Sequence, residues 1–241
     1  MTSEPEIILY DLACIKNVCF SPVVWRIRLL LNYKNVSYKT VFLEFQDIEP
    51  TLKDFGLAPN ETGTKYTVPV IQYVPTGAYM MDSKPISEFI EKTYPSPAVP
   101  LTSDLGREIE AKTRQGLALT FRRSLMPREI NILSPGAQQF FRRTREAAIG
   151  HRLEDLLEGD KEEQAWAEVA ETMRSAGELI RTNSAEGPFV LGAHPSYTDF
   201  FIAGSLQCAR VIDEEVFQKY LRGPGFKEAY DACLPYMEKR T

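Results

Sequence analysis

The sequence predicts two domains of different class, an α/β domain followed by an all-helical domain. Strand and helix signals alternate at the start of the chain and strand signals almost disappear later. The change falls at the proline-rich stretch YPSPAVP, which is typical of a domain boundary. We therefore expect the α/β domain over residues 1–95, a linker over residues 96–104 and the helical domain over residues 105–241.

The first elements predict a parallel βαβ unit. The apolar run EIILYDL has the length of a strand, and Val24, Ile27 and Leu31 then recur at helical spacing. The segment VSYKTVFLE is rich in β-branched and aromatic residues, which favours a second strand. A strand, a helix and a strand in this order are typical of a parallel pair joined by a crossover helix.

A hairpin and a helix complete the expected α/β domain. The segments VPVIQYV and YMMD flank the turn PTGA, so we expect them to pair as antiparallel strands. The next segment, SKPISEFIEKTYP, has the apolar spacing of a helix, and Ser83 is placed to cap its start.

The second domain is predicted to consist of long amphipathic helices. In one of them Ser196 and Asp199 have the three-residue spacing of a capping box, which marks a helix start. The predicted helical segments are GREIEAKTRQGLALTFRRSLMP, GAQQFFRRTREAAIGHRLEDLLEG, EEQAWAEVAETMRSAGELIRTN, SYTDFFIAGSLQCARVI and GFKEAYDACLPYMEK.

Composition and charge argue against several classes of function. The chain has 241 residues, of which 44% are hydrophobic and 25% charged, and its net charge is -5. This balance predicts no nucleic-acid partner. The start of the chain lacks a signal-peptide pattern and no apolar run approaches the roughly 18 residues that span a membrane, so we expect a cytoplasmic protein with no membrane partner. Two histidines, and four cysteines without paired spacing, predict neither a metal site nor a disulfide framework.

The first candidate site is the stretch FSPVV at the start of the first helix. Ser21 precedes Pro22, and proline suits the first helical turn because its missing N–H would have no partner there. We therefore expect Ser21 at or next to the N-cap. Free backbone N–H groups and the positive end of the helix dipole stabilise an anion such as a thiolate, and a serine hydroxyl can donate one more hydrogen bond to it.

Cys19 is a rival candidate in the same stretch. It could be the nucleophile itself, but no histidine stands near it in the sequence to act as a base. Free cysteines are commonly buried small apolar residues. We favour Ser21 and keep Cys19 as the alternative.

Two further candidate sites lie later in the first domain. Pro69 stands at the entrance of a predicted strand, where a cis Val68–Pro69 bond would leave the backbone of Val68 free to pair with an extended ligand. Asp82 and Ser83 stand at another helix start. An acidic side chain and a helix N-terminus together could hold the ammonium and carboxylate groups of an α-amino acid.

The order of these sites resembles the cytosolic glutathione S-transferases. Ser-Pro at the first helix, Val-Pro at the third strand, Asp-Ser at the third helix and the late SYTD all occur, so the resemblance covers nearly the whole chain. The segment FSPVVWRIRLLLNYKNVSYKTVFLE looks closest to the etherase-like branch of fungi, the FuA group. The resemblance implies a thioredoxin-like N-terminal domain (βαβ-α-ββα), an all-helical C-terminal domain and a homodimer.

The resemblance also implies roles for the candidate residues, with glutathione as substrate or recycled cofactor. Ser21 would hold and activate the thiolate of glutathione, and Val68, before Pro69, would pair its backbone with the cysteinyl unit. Asp82 and Ser83 would bind the γ-glutamyl end.

Other implied contacts are less sharply defined. Either Lys53 or Lys65 could meet the glycine carboxylate, and Lys84 could disturb or supplement binding of the γ-glutamyl carboxylate. A hydrophobic second substrate would contact the first domain's early loop and the first helices of the second domain, near Phe121 and Met126.

The implied activity is transfer of glutathione to a hydrophobic small molecule. The thiolate would add to an electrophilic carbon or displace an aryloxide from an ether, and neither route needs a metal. Two alternatives stay open. One is a cis-trans isomerase that recycles glutathione after reversible addition to a conjugated double bond. The other is a non-catalytic carrier of hydrophobic ligands.

Overall fold

The computed structural model describes residues 5–238, and its first domain is built on a four-stranded sheet. The strands are β1 (Ile7–Leu12), β2 (Tyr38–Leu43), β3 (Val70–Tyr73) and β4 (Ala78–Met81). They lie in the order β2-β1-β3-β4, with β1 parallel to β2 and antiparallel to β3, and β3 antiparallel to β4. The expected thioredoxin-like fold class of this domain is confirmed.

Three helices accompany the sheet: α1 (Pro22–Tyr33), α2 (Ile48–Asp54) and α3 (Ser83–Thr93). Most residues of α1 are buried, although the helix carries two arginines and an asparagine. An apolar surface on several sides requires cover on several sides. The helix α8 of the second domain supplies part of that cover, so α1 belongs to the cores of both domains.

The second domain is all-helical in the part of the chain that the structure describes. Nearly every residue of its helix α8 is buried, which makes α8 the central helix of the domain. The helices are α4 (Asp104–Thr120), α5 (Met126–Glu129), α6 (Pro135–Ile149), α7 (Lys161–Ile180), α8 (Tyr197–Ile212), α9 (Glu214–Leu221) and α10 (Phe226–Cys233).

The first predicted helix of this domain is interrupted by a π-helical turn at Phe121–Leu125. Pro127 lies just beyond this turn and has no N–H to donate to the carbonyl four residues earlier. Beside it, the Ser124 carbonyl accepts from the guanidinium of Arg128 at 2.7 Å. The helical hydrogen-bond pattern changes where proline removes a donor.

The second predicted helix is shorter than the sequence pattern indicated. It begins with Ser134, which accepts a hydrogen bond from the Ala137 N–H, and it ends at Gly150, whose φ of 79° is left-handed. The expectation that the helix runs on through GHRLEDLLEG was therefore wrong, because Gly150 acts as a C-cap. A further helix, α9, was not predicted, and Asp213 caps it by accepting from Val216 N–H.

Acidic side chains cap the starts of α3 and α8. Asp82, rather than the predicted Ser83, is the N-cap of α3. Asp199 is fully buried and accepts hydrogen bonds from the backbone N–H groups of Ser196 and Val190, both at 2.8 Å. The predicted Ser196–Asp199 pairing at the start of α8 is confirmed, and it also ties the preceding loop to the helix.

None of the helices within residues 5–238 combines the length and apolar character that crossing a membrane demands. The same residues hold no group of three or more histidine, cysteine or acidic side chains arranged to bind a metal ion.

Candidate active site

The strand register brings two of the three candidate sites together at one edge of the sheet. Tyr10 lies opposite Val70 in the β1–β3 pair, and Val70 lies opposite Met81 in the β3–β4 pair. Pro69 and Asp82, one residue further out on β3 and β4, are therefore neighbours. The Asp82 N–H donates to the Pro69 carbonyl at 3.1 Å. The carboxyl end of β1 lies at this same edge, and the chain runs from there towards α1.

Ser21 is the N-cap of α1, as predicted. Its hydroxyl oxygen accepts from the Val24 N–H at 3.4 Å, which is long for a capping bond. Its side chain is 5% exposed. Because the hydroxyl oxygen accepts in this bond, its proton stays free to be donated to an anion.

The backbone polar groups of Val68 have no hydrogen-bond partners within residues 5–238. The Val68–Pro69 peptide bond is cis. Strand β3 begins only at Val70, and among residues 5–238 the N–H and carbonyl of Val68 form no hydrogen bond. These two groups are available to an extended, peptide-like ligand.

Asp82 holds an uncommon backbone conformation, with φ at 80°. Its carboxylate accepts from the Ser83 N–H at 2.6 Å, and the Ser83 hydroxyl lies 3.5 Å from the same oxygen. Positive φ is costly outside glycine and is commonly retained at ligand sites. The Asp82 side chain is exposed while Ser83 is buried at the start of α3.

Cys19 is poorly suited to the nucleophilic role. Its side chain is 3% exposed, and burial, reinforced by the charge of Asp11, raises the pKa of the Cys19 thiol well above its ordinary value. A neutral, buried thiol lacks the thiolate character that a nucleophile needs. Ser21 is buried to a similar degree, but it lines the same cleft as Val68 and Cys19 does not, so the geometry favours Ser21 as the residue that faces a ligand.

The two arginines of α1 hold the helix in place. Arg28 forms an ion pair with the fully buried Asp11 of β1, with 3.0 Å between the nitrogen and the oxygen. Arg26 lies over the ring of Phe201 in α8, with 4.6 Å to the ring centroid. Burial lowers the pKa of Arg26, and Tyr197, ahead of Glu110 and Asp82, opposes this shift. The helix start is thus fixed to the sheet and to the second domain.

Ser21 lines a cleft of about 420 Å³ between the two domains. The first domain supplies most of its wall, and α6 supplies the part contributed by the second domain. The lining residues are Leu12, Ser21, Phe45, Ile48, Glu49, Thr64, Lys65, Tyr66, Thr67, Val68, Phe140, Thr144 and Arg145. The predicted contacts Phe121 and Met126 are absent from this wall, and Met126 is buried in the core.

The two candidate lysines differ in their surroundings. Lys53 forms an ion pair with Glu49 at 2.7 Å and does not line the cleft. Lys65 lines the cleft and has no ion-pair partner among residues 5–238. The available cation on this side of the cleft is therefore Lys65.

Comparison with protein families gives the same assignment for both domains. The model of the glutathione S-transferase N-terminal domain matches residues 20–93. The model of the glutathione S-transferase C-terminal domain matches residues 109–222. The chain belongs to the glutathione S-transferase family.

Individual glutathione S-transferases resemble the chain over almost its full length. The glutathione S-transferase-like protein ustS of Aspergillus flavus is 28% identical over 238 residues, which cover 91% of this chain and 85% of that protein. A glutathione S-transferase of Ceriporiopsis subvermispora, crystallised with glutathione, is 28% identical, with a TM-score of 0.79 and coverage of 95% and 97% of the two chains. GSTFuA2 of Phanerochaete chrysosporium is 27% identical, with a TM-score of 0.81 and coverage of 98% and 99%. The FuA resemblance seen in the sequence is confirmed.

Sequence reasoning missed the part of this glutathione S-transferase cleft that the second domain builds. Phe140, Thr144 and Arg145 of α6 all line it. Phe140 and Thr144 are one turn apart on the helix, and Arg145 directly follows Thr144 in the chain. Nothing in the amphipathic pattern of α6 indicates which of its faces covers the core and which covers a cleft. Only the packing of the two domains supplies that information.

Proposed function

We propose that the chain binds glutathione along the sheet edge formed by Ser21, Val68 and Asp82 and transfers it to a hydrophobic electrophile. The observation that carries this proposal is the position of Ser21. Its hydroxyl caps α1, still has a proton to donate, and lines a cleft whose opposite wall comes from the second domain. The family assignment and the relative crystallised with glutathione support the same reading.

In the proposed pose, glutathione lies extended across the first domain. The free N–H and carbonyl of Val68, next to Pro69, pair with its cysteinyl unit. The Asp82 carboxylate binds the γ-glutamyl ammonium, and the Ser83 hydroxyl and the start of α3 bind the γ-glutamyl carboxylate. Lys65 binds the glycine carboxylate, because the charge of Lys53 already has Glu49 as its partner.

The proposed chemistry requires only a stabilised thiolate. An ordinary thiol has a pKa of about 8.5, and a site at a helix N-terminus with a hydroxyl donor lowers the pKa of a bound thiol. The thiolate sulfur forms a bond to the electrophilic carbon. An aryloxide or halide then leaves with the electron pair of the broken bond, or a conjugated acceptor takes up a proton. A more specific form of this proposal is that the substrate is an aryl ether, which the enzyme cleaves.

The substitution Ser21→Ala tests the central step. We expect the thiol pKa of bound glutathione to rise by roughly one to two units, because a hydrogen bond to a charged group contributes about 1.5–3 kcal/mol. The measurement is the ultraviolet absorbance of the thiolate across pH, with calorimetry for glutathione affinity. Ser21→Thr, which keeps a hydroxyl, and Cys19→Ser, which leaves the cleft wall unchanged, serve as controls.

Each result has a distinct meaning. If the wild type fails to bind glutathione at millimolar concentration, the proposal is wrong. If Ser21→Ala binds glutathione with an unchanged thiol pKa, Ser21 only caps α1. Product analysis separates the activities: a glutathione adduct supports transfer, whereas an isomerised acceptor without adduct supports the isomerase. Tight binding of aromatic ligands without turnover, unaffected by Ser21→Ala, supports a carrier.

A further inference from the structure

Within residues 5–238, the second domain places one positively charged side chain in the cleft wall, that of Arg145. The neighbouring arginines of α6 are differently placed. Arg142 forms ion pairs with Glu146 and Glu154, each at 2.7 Å. Arg143 is exposed and does not line the cleft. Arg145 lines the cleft and forms no ion pair within residues 5–238.

Aromatic rings hold the Arg145 guanidinium at this position. Its carbon lies 5.0 Å from the centroid of the Phe141 ring and 5.8 Å from that of Phe45. Phe45 comes from the first domain and Phe141 from α6, so the guanidinium lies at the junction of the two walls. Two neighbouring rings, one from each domain, restrict the side chain and displace part of its water. A partly desolvated cation of this kind favours an anionic partner.

The next step rests on the proposed function and concerns the charges that glutathione brings. Its two carboxylates are assigned to Ser83 with the start of α3 and to Lys65. Glu49, the acid in the cleft wall, already pairs with Lys53 at 2.7 Å. Arg145 lies near enough to the buried Glu129 to oppose the rise that burial causes in the Glu129 pKa, but it forms no ion pair with it. The Arg145 guanidinium is therefore available to a ligand on the wall that faces the second substrate.

We propose that the acceptor is an aromatic electrophile that carries a carboxylate, and that Arg145 binds this carboxylate. Phe45 and Phe140 in the cleft wall would contact the ring of such a molecule. A planar guanidinium binds a carboxylate with two parallel hydrogen bonds, which fixes orientation as well as adding affinity. Arg145 would thereby determine specificity and aim the electrophilic carbon at the thiolate near Ser21.

The test uses a matched pair of acceptors, a chlorodinitrobenzoate and its methyl ester, with each rate divided by the uncatalysed rate with glutathione. In Arg145→Met we expect kcat/KM for the carboxylate to fall about tenfold to a hundredfold and that for the ester to change little. Arg145→Lys should retain part of the preference. Arg143→Met, on the same helix but outside the cleft, should leave the ratio of the two substrates unchanged.

A binding measurement separates this inference from the proposed function. Calorimetry of an unreactive dinitrobenzoate, without glutathione, should show binding to the wild type and a loss of at least about tenfold in Arg145→Met. This result is expected even if glutathione transfer fails. An unchanged carboxylate-to-ester ratio together with unchanged dinitrobenzoate affinity overturns the inference. Weaker glutathione binding in Arg145→Met with an unchanged ratio also overturns it, since Arg145 would then be a glutathione ligand.

Discussion

Ser21 shows how one hydroxyl can combine a structural and a chemical role. As a cap it accepts from the Val24 N–H, and a typical N-cap contributes about 1 kcal/mol to stability. As a donor it would add a hydrogen bond to a thiolate held at the same helix end. The two roles use different parts of the group, the lone pair and the proton, so they do not compete. The capping role of Ser21 is therefore compatible with a role in binding the thiolate.

At the residue scale, the buried carboxyl of Glu129 predicts how the free energy of unfolding depends on pH. Burial raises the pKa of Glu129 to about 7, whereas an unfolded glutamate titrates near pH 4.3. Between these two values the folded protein keeps a proton that the unfolded chain has released. The contribution of Glu129 to the free energy of unfolding therefore falls as pH rises through this window, by roughly 4 kcal/mol in total.

The substitution Glu129→Gln removes this proton while keeping the shape of the side chain. We expect the unfolding free energy of the variant, relative to the wild type, to rise steadily from about pH 4.3 to about pH 7 and to level off above that. Urea denaturation of both proteins across this range measures the difference. If the unfolding free energies of the two proteins differ by the same amount at every pH in this range, the prediction is wrong.

The residues that sequence reasoning could find share a local signature. Ser21 before Pro22, and Asp82 before Ser83, are helix starts that a few neighbouring residues specify. Arg145 has no such signature, because its role depends on Phe45, about a hundred positions away. Local hydrogen-bonding patterns are readable in a sequence, whereas contacts between domains are not.

At the element scale, Gly150 decides where α6 ends. Its φ of 79° is left-handed, and a Cβ built there would meet no atom within 4 Å, so the cost of a side chain is one of backbone conformation alone. Gly150→Ala should therefore lower the free energy of unfolding by about 1 kcal/mol. Denaturant midpoints measure the change.

Gly136 near the start of α6 is the matched control for this prediction. It is helical, and a Cβ built there would lie in ordinary contact, 3.7 Å from the nearest side-chain atoms. Gly136→Ala should raise the free energy of unfolding by about 0.5 kcal/mol, because alanine favours the helix. A loss of stability in Gly136→Ala, or none in Gly150→Ala, would show that the backbone argument is wrong for α6.

The elements themselves were predictable where periodicity was long and uninterrupted. Helix α7 (Lys161–Ile180) follows its amphipathic pattern closely. The errors fell where one residue overrides the pattern: Pro127 disturbs the end of α4, and Gly150 ends α6. Helix α9 was missed although Asp213, directly after α8, caps its start.

At the scale of the whole molecule, the two domains meet where α1 packs on α8. Gly204 of α8 allows this close approach, since a Cβ built there would lie 2.9 Å from both the Pro22 carbonyl oxygen and the Trp25 Cβ. Pro22 directly follows Ser21. The position of the proposed thiolate site therefore depends on a glycine in the other domain.

The expected homodimer stays a prediction, which light scattering of the purified protein would test.

The substitution Gly204→Ala tests this coupling between the domains. The added methyl must push against the backbone of α1, which should cost about 1–3 kcal/mol of stability. The start of α1 would shift, so we also expect the thiol pKa of bound glutathione to rise and kcat/KM to fall by about tenfold or more. Gly116→Ala is the control: the atoms nearest to its Cβ belong to the flexible side chain of Met173, which must shift between α4 and α7, so we expect some loss of stability with activity unchanged. If Gly204→Ala loses stability but keeps its thiol pKa and activity, the α1–α8 contact holds the fold together without positioning the site.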